Sequence, residues 1–319
     1  MRDVALGIDI GGTFTKYGFV DHSGECIKDG SISTTENPEI HEFQGRLADT
    51  INDELKDLGN DANLVGIGIG APNGNYYTGT IDYAPNLNWK GVVHFVELFK
   101  KHFNLPMALT NDANAAALGE MIYGGAKDLK NFVEITLGTG LGSGIVVNGE
   151  VVYGHDGFAG ECGHVMVYEN GRMCGCGQRG CLETYASATG IRRTVFELMA
   201  SEIIETKMRT IAFDDLTAKM IAHFAQDGDE IALQAFEFTG KILGMKLADT
   251  VAHTSPEAIF LFGGLANAGD LIFKPTKEHF EKNLLPIYRE KIKILPSELK
   301  ETNAAVLGAS ALAWKEMGE

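Results

Sequence analysis

The chain has 319 residues and a net charge of −16, with 43 acidic residues against 27 basic ones. That balance argues against a sequence-independent grip on DNA or RNA, which needs lysine and arginine to displace phosphate counterions, and no apolar run is long enough to span a bilayer. The length suits about two domains with large cores, and because the opening MRDVALGIDIGG runs straight into a strand pattern, no secretory signal is expected and the expected compartment is the cytoplasm.

Strand and helix signals alternate along the chain, the pattern of α/β architecture. Val4, Leu6, Ile8 and Ile10 alternate with small or polar residues, which predicts a first strand carrying Asp9 on its second face. Strands near 16–20 and 26–33 complete a meander. Ile40, Phe43, Leu47, Ile51, Leu55 and Leu58 recur every three or four residues and predict a helix. A strand over 64–69 runs into Gly70-Ala71-Pro72, Phe95, Leu98, Phe99 and Phe103 suggest a second helix, and a strand over 106–110 delivers Asn111-Asp112 to a helix that begins with the alanine-rich run 113–119.

At residue 131 the pattern restarts. Phe132, Val133 and Ile135 open a strand that ends at Leu137, the turn Gly138-Thr139-Gly140 follows, and a strand over 145–147 meets Asn148-Gly149, a strong two-residue hairpin signal. Both halves therefore begin strand, glycine-threonine turn, strand, turn, strand, which is weak evidence for an internal duplication. Helical periodicity follows over 191–199, 216–224 and 231–251. A strand over 258–262 stops at Gly263-Gly264, and a helix over 304–314 closes the chain.

Gly11-Gly12-Thr13 and Gly138-Thr139-Gly140 lack side-chain bulk where backbone N–H groups must approach an anion, and each threonine adds a hydroxyl donor. Either turn alone reads as a hairpin turn; the pair reads as phosphate-binding, although neither has the spacing of a P-loop or a dinucleotide fingerprint. Asp9, at the lip of the first turn, is placed to hold a hydrated Mg²⁺ ion. Lys16 suits phosphate contact and a solvent-facing position equally. Asp112 could accept the proton of a substrate hydroxyl or cap the helix that follows it.

Between Glu161 and Glu183 stand His164, Cys174, Cys176 and Cys181 in a glycine-rich stretch. One imidazole and three thiols match the tetrahedral preference of a structural zinc ion, and Gly175, Gly177 and Gly180 let the segment close as a tight knuckle. Buried thiols or a disulfide pair form the alternative, but thiols seldom cluster in this way in reducing compartments. Cys26 and Cys162 read as ordinary packed thiols. With zinc already supplied with four softer ligands, the two bracketing carboxylates are free for other partners, and sugar hydroxyls fit.

Asp9-Ile10-Gly11-Gly12-Thr13, Gly68-Ile69-Gly70-Ala71-Pro72, Ala84-Pro85-Asn86-Leu87, Asn111-Asp112-Ala113-Asn114-Ala115, Gly138-Thr139-Gly140, Glu161 with Gly163-His164, and Cys174-Gly175-Cys176-Gly177-Gln178-Arg179-Gly180-Cys181-Leu182-Glu183 together resemble the ROK family of sugar kinases and repressors, and most of all its glucokinases. The resemblance covers nearly the whole chain. It implies an actin-like ATPase fold of the hexokinase type, with two α/β domains flanking a cleft and a structural zinc knuckle. Residues 1–112 with 302–319 would form the smaller domain and 113–301 the larger. By the same resemblance Asp112 is the catalytic base, Asn86, Asn111, Glu161, His164 and Glu183 contact sugar, His164, Cys174, Cys176 and Cys181 hold zinc, and Gly263-Gly264 lies beside the adenosine part of ATP. One departure is Phe14, where many relatives place a lysine directly after the threonine.

The activity implied is ATP-dependent phosphorylation of a hexose, glucose at its 6-hydroxyl first, with mannose, fructose, N-acetylglucosamine and N-acetylmannosamine as alternatives. The expected partners are hexose and ATP, with Mg²⁺ and Zn²⁺ as metals, no nucleic acid or membrane, and a homodimer or higher homo-oligomer as the assembly. A sugar-responsive repressor is the competing class. It would need a DNA-reading segment ahead of Asp9, where only a short strand is expected.

Overall fold

The computed structural model describes residues 1–36, 39–299 and 304–318; residues 302–303 and 319, part of the expected smaller domain, lie outside the described residues. In chain order the elements are β1 (Arg2–Ile10), β2 (Phe14–Asp21), β3 (Cys26–Ser33), α1 (Ile40–Leu58), β4 (Ala62–Ala71), β5 (Gly74–Asn75), β6 (Thr80–Asp82), β7 (Val92–Val93), α2 (Phe95–Phe99), β8 (Met107–Asn111) and α3 (Asp112–Ile122). They continue as β9 (Phe132–Leu137), β10 (Leu141–Val147), β11 (Glu150–Val151), α4 (Ala188–Ser201), α5 (Ala218–Gln226), α6 (Glu230–Thr254), β12 (Ala258–Phe262), α7 (Asp270–Asn283), β13 (Lys293–Pro296) and α8 (Ala304–Glu316). Two compact units result: the first is Met1–Leu129 with Val151–Ala159 and Glu298–Glu319, the second Lys130–Glu150 with Gly160–Ser297.

The first unit is built on a five-stranded sheet of order β3-β2-β1-β4-β8. β1 pairs antiparallel with β2 and β2 with β3, as a meander requires, whereas β1, β4 and β8 run parallel. The apolar stripe of α1 seats Phe43, Leu47 and Ile51 in one core with Leu6, Ile8, Ile67 and Leu109. α8 comes much closer to the strands. A Cβ on Gly7 would stand 2.1 Å from the carbonyl oxygen of Val306 and one on Gly68 1.8 Å from that of Ala309, so these two cross-strand partners admit α8 to backbone contact. Gly119 of α3 and Gly308 of α8 meet in the same way. α3 is thereby fastened into the first unit, which runs on to Leu129 past the boundary expected at residue 112.

The second unit repeats the plan with a sheet of order β11-β10-β9-β12-β13, in which β9 and β10 are antiparallel and β9, β12 and β13 parallel. The shared strand order gives the duplication suggested by the glycine-threonine turns a topological form. Asn148 and Gly149 both adopt positive φ, 55° and 80°, as a two-residue hairpin turn demands. Residues from β9, β12, α4, α5, α6 and α7 share one continuous core, including Val133, Ile191, Ile221, Phe236, Ile259 and Phe280. α2 stops at Phe99, short of the expected Phe103, and Phe103 packs its ring on Phe99 from beyond the helix end. No helix of the described residues is long and apolar enough to cross a membrane.

Candidate active site and metal centre

In the first unit the site residues gather at the carboxyl ends of β1, β4 and β8, the position at which parallel α/β sheets hold ligands. Register does this. Asp9 faces Lys16 on β2 and Gly70 on β4, while Ala71 faces Asn111 on β8. Gly70 separates the two acids: a Cβ built on it would stand 3.9 Å from Asp9 Oδ1 and 3.7 Å from Asp112 Cα. The first glycine-threonine turn is closed by Gly11 N–H donating to the Phe14 carbonyl at 3.1 Å. Gly12 lies against Asn86, whose carbonyl oxygen would be 2.7 Å from a Cβ there. Ala84 and Leu87 are buried and anchor the turn that leaves Asn86 exposed.

Asn111, and not Asp112, is the N-cap of α3: its side chain accepts from Ala113 N–H at 2.9 Å. Asp112 occupies the first helical position and accepts from the same N–H at 2.9 Å. Its surface reaches solvent, yet dense protein surrounds it, and the lost hydration drives its carboxyl above the usual carboxylate range against the pull of that hydrogen bond. Asp9 is raised to about 6, chiefly by burial and then by the charge of Asp112, with Lys16 acting in the opposite sense. The lysine is therefore near enough to act electrostatically on Asp9.

In the second unit Gly138-Thr139-Gly140 follows β9 and is reached from two sides. Ala188 N–H, in the first turn of α4, donates to the Gly138 carbonyl at 2.9 Å. A Cβ on Gly140 would meet Glu183 Oε2 at 2.6 Å. Gly138 and Gly264 face open space where a Cβ would stand, so protein packing does not explain glycine at either. Gly263 does need to be glycine: its φ is +100° and a Cβ would lie 2.8 Å from the Leu137 carbonyl oxygen, beside the start of the Gly138-Thr139-Gly140 turn.

The ligand atoms of His164, Cys174, Cys176 and Cys181 all lie within 4.8 Å of one another. A tetrahedral zinc ion with Zn–S bonds of about 2.3 Å and a Zn–N bond of about 2.0 Å sets its sulfurs about 3.8 Å apart and sulfur from nitrogen about 3.5 Å. Cys176 and Cys181 have Sγ atoms 3.7 Å apart, and Cys174 Sγ is 3.7 Å from His164 Nδ1, so the four residues fit the ion. All five cysteines are free. Gly177, at φ +90°, turns the knuckle, while Cys174 N–H bonds to the Gln178 carbonyl at 2.9 Å. The other imidazole nitrogen, His164 Nε2, stands 3.9 Å from Glu161 Oε2, so one ring addresses both the thiols and a bracketing acid. Glu183 is turned toward the cluster, its Oε1 accepting from the Cys174 thiol at 2.8 Å. Burial first, and this carboxylate second, push that thiol well above its ordinary pKa.

A sheet of this order occurring twice, each time with a glycine-threonine turn after its central strand, defines a protein of the actin-like ATPase fold. Residues 5–316 match the ROK family, and the chain belongs to that family. It is similar to the glucokinase of Halalkalibacterium halodurans, 38% identical over 289 residues that cover 88% of this chain and 86% of that one. Among solved structures it resembles a ROK family glucokinase from Streptomyces griseus in complex with glucose and AMPPNP, with a TM-score of 0.81 and 29% identity over 98% of this chain and 99% of that one. It also resembles a ROK family transcriptional regulator, a homolog of the E. coli MLC protein, with a TM-score of 0.87 and 28% identity over 98% of this chain and 78% of that one.

Proposed function

We propose that this protein is a glucokinase, transferring the γ-phosphoryl group of ATP to glucose and yielding glucose 6-phosphate and ADP. The observation that carries the reading is the convergence of Asp9, Gly12, Asn86 and Asp112 at the ends of β1, β4 and β8, in a chain 38% identical to a glucokinase. A sugar sensor of the same family needs the sugar contacts but has no use for two turns shaped for phosphate. Their presence favours the kinase over the regulator.

Phosphoryl transfer passes through a loose transition state, so the protein contributes position and charge more than covalent chemistry. Asp112 orients the 6-hydroxyl and takes its proton as the oxygen–phosphorus bond forms and the bond to the ADP oxygen breaks. A carboxyl held above the usual range is suited to keeping that proton. Asn111 is fixed through its own side-chain oxygen at the cap, which leaves its amide N–H groups for a sugar oxygen. Asn86, Glu161, His164 and Glu183 complete the sugar contacts. Gly11, Gly12, Thr13, Gly138, Thr139 and Gly140 approach the phosphates, with Lys16 in support, and Gly263 and Gly264 the adenosine part.

Asp9 is the residue that would hold hydrated Mg²⁺. A carboxylate poorly satisfied by the protein gains from a cation, and the ion when bound neutralises phosphate charge. His164, Cys174, Cys176 and Cys181 would hold zinc with all four positions filled by protein, a structural arrangement. A metal-bound thiolate carries no proton, so Cys174 in that form would no longer donate to Glu183.

The deciding measurement is an ADP-release assay over glucose, mannose, fructose, N-acetylglucosamine and N-acetylmannosamine. The highest kcat/KM is expected for glucose. Turnover on none of the five would overturn the kinase reading.

A further inference from the structure

Arg172, two residues before Cys174, has only 9% of its side chain exposed although it lies in a polar, glycine-rich segment. A guanidinium carries five N–H donors, and here every one has an acceptor. Nε donates to Glu197 Oε1 at 2.8 Å, Nη1 to the carbonyls of Thr184 at 2.7 Å and Gly190 at 3.1 Å, and Nη2 to Thr194 Oγ1 at 3.0 Å and Glu197 Oε2 at 2.5 Å. Its guanidinium carbon lies 4.5 Å from the centroid of the Tyr185 ring, and its backbone N–H donates to the Tyr185 hydroxyl at 2.9 Å.

Those acceptors belong to one place in the fold. Leu182–Thr184 form the single 3₁₀ turn that carries Glu183, and Thr184 is the next residue along. Ser187, the N-cap of α4, donates its hydroxyl to the Glu183 carbonyl at 2.7 Å, so the turn and the helix start are joined. Gly190 and Thr194 lie on the first two turns of α4. One planar group thus ties the knuckle segment, the Glu183 turn and α4 together, through bonds that involve none of the four metal-ligand atoms.

We propose that Arg172 is the positioning residue for Glu183, fixing the height and tilt of that carboxylate for the sugar by clamping the turn beneath it. The proposal rests on the reading of Glu183 as a sugar contact. Lysine cannot replace the fork, because an ammonium has three donors and no plane to lay on the Tyr185 ring. Displacing a substrate-contacting group by about 1 Å can cost on the order of 100-fold, so a loosened turn should be visible in kinetics.

The test uses full-length Arg172→Lys, Arg172→Met, Glu183→Gln and the Arg172→Met/Glu183→Gln double variant, with glucose KM, ATP KM, kcat, zinc per chain and Tm measured for each. Both arginine variants should raise glucose KM by about 10-fold or more, keep ATP KM within about two-fold and keep the zinc content of the parent, and the double variant should be no worse than Glu183→Gln alone by more than about two-fold. Arg172→Lys retains charge and most of the volume, which keeps the test open should Arg172→Met fail to fold. Glucose KM unchanged in the arginine variants while Glu183→Gln raises it would overturn the proposal. So would loss of zinc, equal damage to ATP KM, or independent, multiplying effects in the double variant. Glu183→Gln with parental glucose KM would instead remove the reading of Glu183 and the proposal with it.

Discussion

Glu183 Oε2 occupies the space in which a Cβ on Gly140 would stand, at 2.6 Å from it, so the second glycine-threonine turn and the acid that closes the knuckle share one surface. Gly140→Ala must push that carboxylate aside, and we expect glucose KM to rise by about 10-fold with little change in Tm. Gly138, two residues earlier, borders open space, so Gly138→Ala should fold as the parent does and raise ATP KM instead. Steady-state kinetics with each substrate varied separate the two. Identical effects of both substitutions on both substrates would sink the distinction.

Asp112→Asn should lower kcat by about 10²- to 10⁴-fold, the usual worth of a positioned base. Because Asn111 caps α3, the substitution leaves the helix start intact, and calorimetry should give glucose affinity within a few-fold of the parent, while removal of a desolvated charge should raise Tm at pH 7. Retained turnover would reject the assignment.

The elevated carboxyls give the enzyme an acid limb. Asp9 titrates near 6 and Asp112 above the ordinary carboxylate range, so kcat/KM should fall as pH drops through about 6. Stability runs the other way. Asp9 in the folded protein binds its proton more tightly than in the unfolded chain, whose ordinary value is 3.8, so stability falls as pH rises from about 4 to about 6 and the cost is fully present above that. Asp9→Asn should therefore show a higher Tm than the parent at pH 7, a flatter Tm profile between pH 4 and 6, and almost no turnover. A lower Tm at pH 7 would contradict the desolvation argument.

One zinc ion per chain is expected by elemental analysis. A ligand at 1,000 times its Kd stabilises by about 4 kcal/mol, a shift on the order of 10 °C for a unit of this size, so chelation should lower Tm by that order and raise glucose KM. Cys176 is the exposed ligand, and Cys176→Ser should reproduce both effects. Full glucose affinity and parental Tm in that variant would show that the knuckle braces nothing.

The elements legible in the sequence were those whose signal is local. The stripe from Ile40 to Leu58 returned as α1 with those limits, Asn148-Gly149 as a hairpin turn, and the donor set of the knuckle as four converging ligand atoms. α7 was missed because Pro275 stands inside it; the ring is accommodated by Gly240 of α6, where a Cβ would lie 2.6 Å from Pro275 Cγ. Two-residue strands such as β5 and β7 carry too few residues for an alternation to register. Nothing in the sequence marked Arg172, since an arginine between a glycine and a methionine in a polar loop reads as solvent-facing.

By itself the sequence determined the strand and helix periods, the turns that require glycine, and the chemistry of the cysteine and histidine ligands, because each depends on neighbours along the chain. Packing alone settled which acids share a desolvated corner, that Asn111 rather than Asp112 takes the cap, which glycines are needed for contact and which leave room, and where Arg172 directs its five donors. Desolvation, close approach and hydrogen-bond satisfaction are set by atoms that packing brings from distant segments, and no pattern within one segment encodes them.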